Sequence, residues 1–205
     1  RREQYAVALA LVRDGKVELG VLGCPELNIP LSSEEGAGNA TPQAAGYICI
    51  AARNRGSWCQ PLSNESNWQK LTASPRSQSN TARILRSVEK SHTNVDEISQ
   101  LAAKLGTSEK PVGMDSQAKY AVLAAGEGDI MLRLLSPARP DYREKIWDQA
   151  AGSIVVEEAG GRITDLDGKS LDFSHGRTLA KNRGVIATNG HLHEAVLGTL
   201  RRLGV

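Results

Sequence analysis

The sequence predicts a layered α/β fold, and two observations lead to this prediction. The first third is rich in short apolar runs separated by tight-turn residues, which is typical of antiparallel strands. The rest alternates helical and strand patterns, which is typical of helices packed on a sheet. The 205 residues are enough to bury a substantial core. We place a boundary where the pattern changes, which gives units at residues 1–80 and 81–205.

The first unit is predicted to contain two pairs of antiparallel strands. Residues 4–25 form two apolar runs around Asp14-Gly15, a dipeptide that favours a tight hairpin turn. The many alanines in the first run leave a helix open as an alternative there. The segment "YICIAARNRGSWCQPL" predicts a second strand pair with its turn at residues 54–56. A polar loop at residues 28–46 separates the pairs, and a short strand is expected near residues 69–72.

The second unit is predicted to alternate helices and strands. Ile98, Leu101 and Leu105 recur at helical spacing, and Gly106 is a suitable residue for the end of that helix. The later elements follow from the same kind of pattern. They are a helix at 117–125, a strand at 129–135, a helix at 147–159, a hairpin around Asp167-Gly168, a buried strand at 184–189 and an amphipathic helix at 191–204.

Composition and charge exclude several classes of protein. The formal net charge is +2, so overall charge gives no reason to expect a nucleic-acid or membrane partner. The apolar run near the N-terminus is too short to predict a signal peptide, Glu3 and Gln4 interrupt the charged segment before it, and no small-residue cleavage site follows. The three cysteines lack metal-ligand spacing, and we expect reduced thiols in a cytoplasmic or organellar protein. The chain contains neither a Walker loop nor a dinucleotide-binding fingerprint.

Asp148 precedes a run of small residues at the start of a predicted helix, "WDQAAGS". One interpretation is a helix cap, because aspartate is a favoured N-cap residue. The other is a site for a metal ion and a phosphate, because a carboxylate stands beside the free N–H groups of a helix end. The small residues after Asp148 would let a phosphate approach closely. The residues alone leave both interpretations open.

Four other side chains are candidates for binding a phosphate group. Ser116 and Lys119 are three residues apart at a predicted strand-to-helix junction, where they face the same side. They form either a phosphate cradle or a helix cap beside a solvated lysine. Arg133 lies in a strand between two leucines and is either solvated or a planar phosphate clamp. His92 lies between two hydroxyl residues, with no second histidine or cysteine nearby at metal spacing.

Six segments, taken in order, resemble one family. They are "SHT" (91–93), "DSQAKY" (115–120), "LRL" (132–134), "YREKIWDQAAG" (142–152), "VEEAGGRITDLDGKSLDF" (156–173) and "GRTLAKNRGVIAT" (176–188). The series resembles the C-terminal part of the 3′(2′),5′-bisphosphate nucleotidases. These belong to the lithium-sensitive, magnesium-dependent phosphatase superfamily that includes inositol monophosphatase and fructose-1,6-bisphosphatase.

The resemblance implies a fold, a reaction and a set of site residues. It implies the C-terminal part of an αβαβα sandwich, in which residues 1–80 complete an N-terminal α+β domain. The implied reaction is hydrolysis of the 3′-phosphate of 3′-phosphoadenosine 5′-phosphate, or of its 5′-phosphosulfate, in sulfur assimilation. Asp148 matches a ligand of Mg²⁺ that also lies near the scissile phosphate. The implied substrate contacts are His92, Ser116, Lys119, Arg133 and Tyr142, the last beside the base.

The sequence also departs from the family. The family's upstream glutamate, its Asp-Pro-Ile-Asp-Gly-Thr element, and the acid and threonine that activate water have no counterpart here. We therefore expect a C-terminal portion, with the catalytic residues upstream of Arg1 in a missing segment, and an isolated chain that is inactive. Gln149 stands where relatives often have histidine. An inositol phosphate phosphatase and a non-catalytic nucleotide-binding module remain the alternatives.

Overall fold

The computed structural model describes residues 4–29, 46–63, 67–88 and 94–205. The described part has two five-stranded sheets and four helices. The strands are β1 (Val7–Arg13), β2 (Lys16–Cys24), β3 (Tyr47–Ala52), β4 (Ser57–Pro61), β5 (Gln69–Lys70), β6 (Ile84–Arg86), β7 (Val112–Gly113), β8 (Ile130–Arg133), β9 (Arg162–Thr164) and β10 (Val185–Thr188). The helices are α1 (Val95–Leu105), α2 (Ala118–Ala124), α3 (Ala150–Glu158) and α4 (His193–Leu203).

The first sheet is an antiparallel meander in the order β1-β2-β3-β4-β5. Asp14 and Gly15 both have positive φ, at 51° and 73°, as a tight turn that matches the twist of a hairpin requires. The first apolar run is therefore a strand, and the helical alternative is wrong. The predicted loop at residues 28–46 lies mostly outside the described residues.

The second sheet has the order β7-β6-β8-β10-β9 and mixes two kinds of pairing. β6 is parallel to both β7 and β8, whereas β10 is antiparallel to both β8 and β9. The turn at Asp167-Gly168 forms as predicted, since the Asp165 amide donates to the Lys169 carbonyl at 2.9 Å. No strand follows that turn directly, so the predicted hairpin is wrong in its second arm: β9 pairs with β10 instead.

The described elements form four layers, which confirms the layered α/β fold class. Helices α2 and α3 lie between the sheets, because α3 packs on β1–β4 of the first sheet and on β9 and β10 of the second. Helices α1 and α4 pack together against the other face of the second sheet, on β6 and β10. The outer helical layer that would complete an αβαβα sandwich is not among the described elements.

The division at residue 80 stays a prediction. The chain passes from the first sheet to the second near that point, since β5 ends at Lys70 and β6 begins at Ile84. One apolar core nevertheless continues across it. Leu22 and Cys49 of the first sheet belong to the same buried cluster as Leu123 and Ile154 of the central helices. Cys24, Cys49 and Cys59 are free, buried thiols within this core.

A buried histidine holds the start of α4 to the second sheet. The ring nitrogens of His193 lie 2.9 Å from the Thr164 hydroxyl and 3.0 Å from the Thr188 hydroxyl. Burial, helped by the charge of Arg162 and opposed by Glu194, lowers the pKa of His193 to about 4. Among the described residues, no helix is both long and apolar enough to cross a lipid bilayer.

The lowered pKa of His193 leads us to expect a loss of stability in weak acid. Its folded-state pKa lies below the unfolded value, so the unfolded chain binds the proton more tightly. The stabilising effect is therefore complete above the unfolded value of 6.5 and is lost as the pH falls toward 4. The expected slope is at most about 1.4 kcal/mol per pH unit.

Urea unfolding between about pH 7.5 and 5 measures this slope directly. His193→Gln should flatten it, because glutamine does not titrate. His191→Gln, at an exposed position just before α4, should leave the slope as in the wild type. Equal slopes in all three proteins would show that His193 does not limit stability in acid.

Candidate functional site

Five of the six predicted binding residues line one pocket of about 330 Å³. They are Ser116, Lys119, Arg133, Tyr142 and Asp148. The pocket lies between the start of α2, the end of β8 and the segment that leads to α3. The sixth, His92, lies outside the described residues. The remaining lining residues are Ser87, Asp115, Gln117, Tyr120, Met131, Leu134, Leu135, Ser136, Arg139 and Glu144.

Ser116 and Lys119 lie close together, and the contact runs from the Lys119 side chain to backbone carbonyls. Ser116 has a positive φ of 62°, which is uncommon for a residue with a side chain. The buried Lys119 ammonium donates to the carbonyls of Met114 and Ser116, each at 2.9 Å. Burial, together with the charge of Arg133, lowers the pKa of Lys119 to about 8, while Asp115 opposes the change. Lys119 therefore stabilises the turn that presents Ser116.

Arg133 is held in the pocket wall by a buried carboxylate. Its guanidinium lies 2.9 Å from Oε2 of Glu144, with side-chain exposures of 14% and 4%. Burial alone would lower the pKa of Arg133, but the charge and hydrogen bond of Glu144 outweigh burial and raise it. Such a pair fixes the guanidinium in place, because a buried charge needs its partner.

The same carboxylate continues into a buried chain of hydrogen bonds. The Gln149 amide donates to Oε2 of Glu144 at 2.7 Å and accepts from the Tyr120 hydroxyl. Burial raises the pKa of Tyr120, so that side chain is a neutral donor. The chain thus connects β8, the segment before α3, the N-terminus of α3 and α2. Gln149 is fully buried and is not among the pocket-lining residues.

Asp148 is not the cap of α3. It ends a 3₁₀ turn at Ile146–Asp148, and Gln149 is the N-cap residue without a side-chain capping bond. The predicted single helix over 147–159 is therefore wrong at its start. Within the described residues the Asp148 carboxylate has no hydrogen-bond or ion-pair partner, and the residue is partly exposed in the pocket.

Gln117 connects the two helices that border the pocket. Its amide nitrogen donates to the Trp147 carbonyl at 2.8 Å, and its amide oxygen accepts from the Gly152 N–H at 3.2 Å. The second bond satisfies one of the free N–H groups in the first turn of α3. Trp147 itself is 48% exposed. One face of its ring lies 5.3 Å from the Arg177 guanidinium.

Tyr142 and Arg139 form the exposed side of the pocket. The Arg139 guanidinium lies 4.6 Å from the centre of the Tyr142 ring, within the range of a cation–π contact. Burial and the nearby charge of Glu144 raise the pKa of Tyr142. The ring is therefore neutral at pH 7 and offers a flat surface.

The fit to a metal ion depends on the donor set. Glu144 is occupied by Arg133 and Gln149, and Asp115 accepts from the Val88 N–H at 3.1 Å. No group of three or more potential ligands occurs within the described ranges. One available carboxylate fits Mg²⁺, which keeps several waters and is often held by one or two carboxylates plus substrate phosphates. It does not fit a site built entirely from protein ligands.

Sequence reasoning missed the residues that support the site. Glu144 lies between Arg143 and Lys145 and reads as a solvated charge. Gln117 and Tyr120 lie inside the quoted "DSQAKY" segment, and Arg139 lies in a Pro-rich loop. One signal was available for Glu144. A charged residue on a buried strand, such as Arg133, requires a counter-charge nearby, so an acid partner could have been sought.

The two sheets, the helices between them and the pocket at the helix termini define a layered α/β protein with a small polar pocket beside α2 and α3. The chain belongs to the inositol monophosphatase family, whose model matches residues 1–204. It is 39% identical to a 3′(2′),5′-bisphosphate nucleotidase of Emericella nidulans, over 99% of this chain and 59% of that protein. It is 44% identical to a protein of that name from Oryza sativa, over 96% of this chain and 54% of that protein.

Solved structures show the same fold at lower identity. Thermotoga maritima IMPase superposes with a TM-score of 0.64 at 21% identity, covering 96% of this chain and 61% of that one. An inositol monophosphatase from Anabaena gives 0.65 at 19% identity, covering 96% and 66%. The chain spans more than half, but less than two thirds, of the curated relatives. The family match covers residues 1–204 and gives no support to the expectation of a C-terminal portion only, with a missing partner segment.

Proposed function

We propose that the chain takes part in Mg²⁺-dependent hydrolysis of the 3′-phosphate of 3′-phosphoadenosine 5′-phosphate, giving AMP and phosphate. The observation that carries the proposal is the pocket, in which five residues expected from the nucleotidases lie together. The names of the relatives at 39% and 44% identity support the same substrate class. Action on the 5′-phosphosulfate, lithium sensitivity, a role in sulfur assimilation and a cytoplasmic location rest on the family resemblance and belong to this proposal.

Each pocket residue has a role in this proposal that its contacts support. Ser116, presented by the turn that Lys119 stabilises, donates its hydroxyl to a phosphate oxygen. Arg133, fixed by Glu144, adds a planar pair of donors to the same anion. Tyr142 provides a flat surface for the adenine base. His92 is proposed to complete the substrate contacts. Holding the phosphate in one orientation lowers the entropic part of the barrier.

Asp148 is the residue proposed to hold Mg²⁺, with the phosphate supplying further oxygens. When bound, the ion activates water and neutralises charge on the phosphoryl group. The carboxylate is free for this role, since no described side chain pairs with it. Asp148 stands just before the first turn of α3, and the positive end of a helix favours an anion nearby.

We further propose that the isolated 205-residue chain has no measurable phosphatase activity. Asp148 is the one acid lining the described part of the pocket that has no partner, since Glu144 is paired with Arg133 and Asp115 accepts from the Val88 N–H. A single free carboxylate holds Mg²⁺ weakly, and no group of three potential ligands occurs among the described residues. Phosphate release from 3′-phosphoadenosine 5′-phosphate, measured with and without Mg²⁺, tests this directly. Release that depends on Mg²⁺ and is abolished by Asp148→Asn would contradict it.

Nucleotide binding tests the substrate class without requiring turnover. Mg²⁺ should tighten binding of 3′-phosphoadenosine 5′-phosphate by roughly threefold to tenfold, as one additional charge contact of about 1 kcal/mol provides. Asp148→Asn should remove this effect, and calorimetric titration measures it. Asp141→Asn is the matched control, because Asp141 is an exposed acid in the same segment that does not line the pocket.

Competition separates the nucleotide from the inositol alternative. An inositol monophosphate should displace the bound nucleotide only at much higher concentration, because it has no base to lie on Tyr142 and carries one phosphate. If the inositol phosphate binds as tightly as the nucleotide, the inositol phosphatase alternative gains and the nucleotidase proposal fails.

A further inference from the structure

Arg139 carries a positive charge that no acid in the described structure neutralises. Arg139 lines the pocket and is exposed. Within the described ranges its side chain contacts only the Tyr142 ring, whose centre lies 4.6 Å from the guanidinium. Arg133, the other arginine that lines the pocket, is by contrast paired with Glu144 at 2.9 Å. The guanidinium of Arg139 thus keeps its donors available.

The other two cations of the pocket are already engaged. Lys119 uses two of its three N–H donors on backbone carbonyls, and Glu144 balances the charge of Arg133. A ligand with two phosphates brings more negative charge than these two side chains can neutralise. Arg139 is the remaining cation among the described residues that line the pocket.

The backbone holds Arg139 in place on both sides. Its N–H donates to the Ser136 carbonyl at 2.8 Å, and its own carbonyl accepts from the Tyr142 N–H at 3.1 Å. Two successive turns therefore fix the loop, and the ring of Tyr142 supports the guanidinium plane. Less side-chain freedom is lost on binding when the group is already supported in this way.

We propose that Arg139 binds the phosphate that is not cleaved, the 5′-phosphate, and so selects a bisphosphate over a monophosphate. The inference rests on the proposed function, which assigns the 3′-phosphate to the region of Asp148. Guanidinium groups suit this task because their N–H donors match two phosphate oxygens at once. The exposed rim also leaves room for a phosphate that projects away from the buried part of the pocket.

Binding to the 205-residue chain tests the proposal, with two probes and two variants. The probes are adenosine 3′,5′-bisphosphate and adenosine 3′-monophosphate, titrated by calorimetry at one ionic strength. Arg139→Gln should weaken binding of the bisphosphate by about tenfold, equivalent to about 1.4 kcal/mol, and leave the monophosphate unchanged. Arg143→Gln is the matched control, since Arg143 donates to the Tyr142 carbonyl at 3.1 Å and does not line the pocket.

Three other outcomes overturn the proposal, each in its own way. If Arg139→Gln weakens both probes equally, Arg139 supports the base or the shared phosphate instead. If it changes neither, Arg139 is a solvated surface charge. If the wild type binds neither nucleotide, the proposed function fails as well, which distinguishes that failure from the first two.

Discussion

Replacement of Glu144 by alanine is expected to lower the free energy of unfolding by about 3–5 kcal/mol. The change leaves the Arg133 guanidinium buried without its anion, which lies 2.9 Å away in the wild type. It also removes the acceptor for the Gln149 amide, now bonded at 2.7 Å. An unpaired buried charge costs far more than an unpaired charge at the surface, because water cannot replace the lost partner. Urea unfolding at pH 7 measures the loss.

A matched surface pair gives the control for Glu144. Arg162 and Glu194 lie 2.7 Å apart with side-chain exposures of 46% and 71%, so Glu194→Ala should cost no more than about 0.5 kcal/mol. Glu144→Gln should cost less than Glu144→Ala, since one amide oxygen can still accept from Gln149. Similar losses for Glu144→Ala and Glu194→Ala would show that the buried pair contributes no more than a surface pair.

The burial of Glu144, compared with the exposure of Glu194, shows which part of the site could be predicted from the sequence. The residues predicted to contact a ligand stand out in the sequence, because Ser116, Lys119 and Asp148 lie at predicted element ends. The residues that hold them in place do not. Glu144 is flanked by two basic residues in the sequence, yet in the fold it is buried beside Arg133 of β8. Such burial depends on tertiary packing, which a single sequence does not display.

The fold shows the same division between local and long-range information. The turn at Asp14-Gly15 and the end of α1 at Gly106 depend on positive φ angles, which the sequence signals through its turn residues. β6 was not predicted. It has three residues, Ile84–Arg86, and is defined by parallel pairing with strands distant in the sequence. Parallel pairs leave no local turn signal, because their connections are long.

Gly152 lies where α3 passes the Tyr120 ring, and its replacement should be among the most damaging single changes. A Cβ atom added there would overlap atoms of that ring. Tyr120 is fully buried and hydrogen-bonded to Gln149, so the ring has no free space to enter. Gly152→Ala should therefore lower the free energy of unfolding by about 3 kcal/mol or more, despite the higher helix propensity of alanine.

Gly198 provides the matched control, because it too lies within a helix. A Cβ atom at Gly198 would have the Arg202 guanidinium as its nearest neighbour, at 3.7 Å, which is an ordinary contact distance. Gly198→Ala should stabilise the protein by up to about 1 kcal/mol through helix propensity alone. The same substitution is thus expected to have opposite signs in α3 and α4, and thermal or urea unfolding of both variants tests this.

A double-mutant cycle tests whether the ring is the cause. Tyr120→Ala alone should cost about 3–5 kcal/mol, because it empties a large buried volume. In the double variant Tyr120→Ala also removes the obstacle to the new methyl group at residue 152. The double variant should therefore lose clearly less stability than the sum of the two single losses. Additive losses would mean that the Tyr120 ring does not oppose a side chain at residue 152. The close approach of α2 and α3 that borders the pocket would then need another explanation.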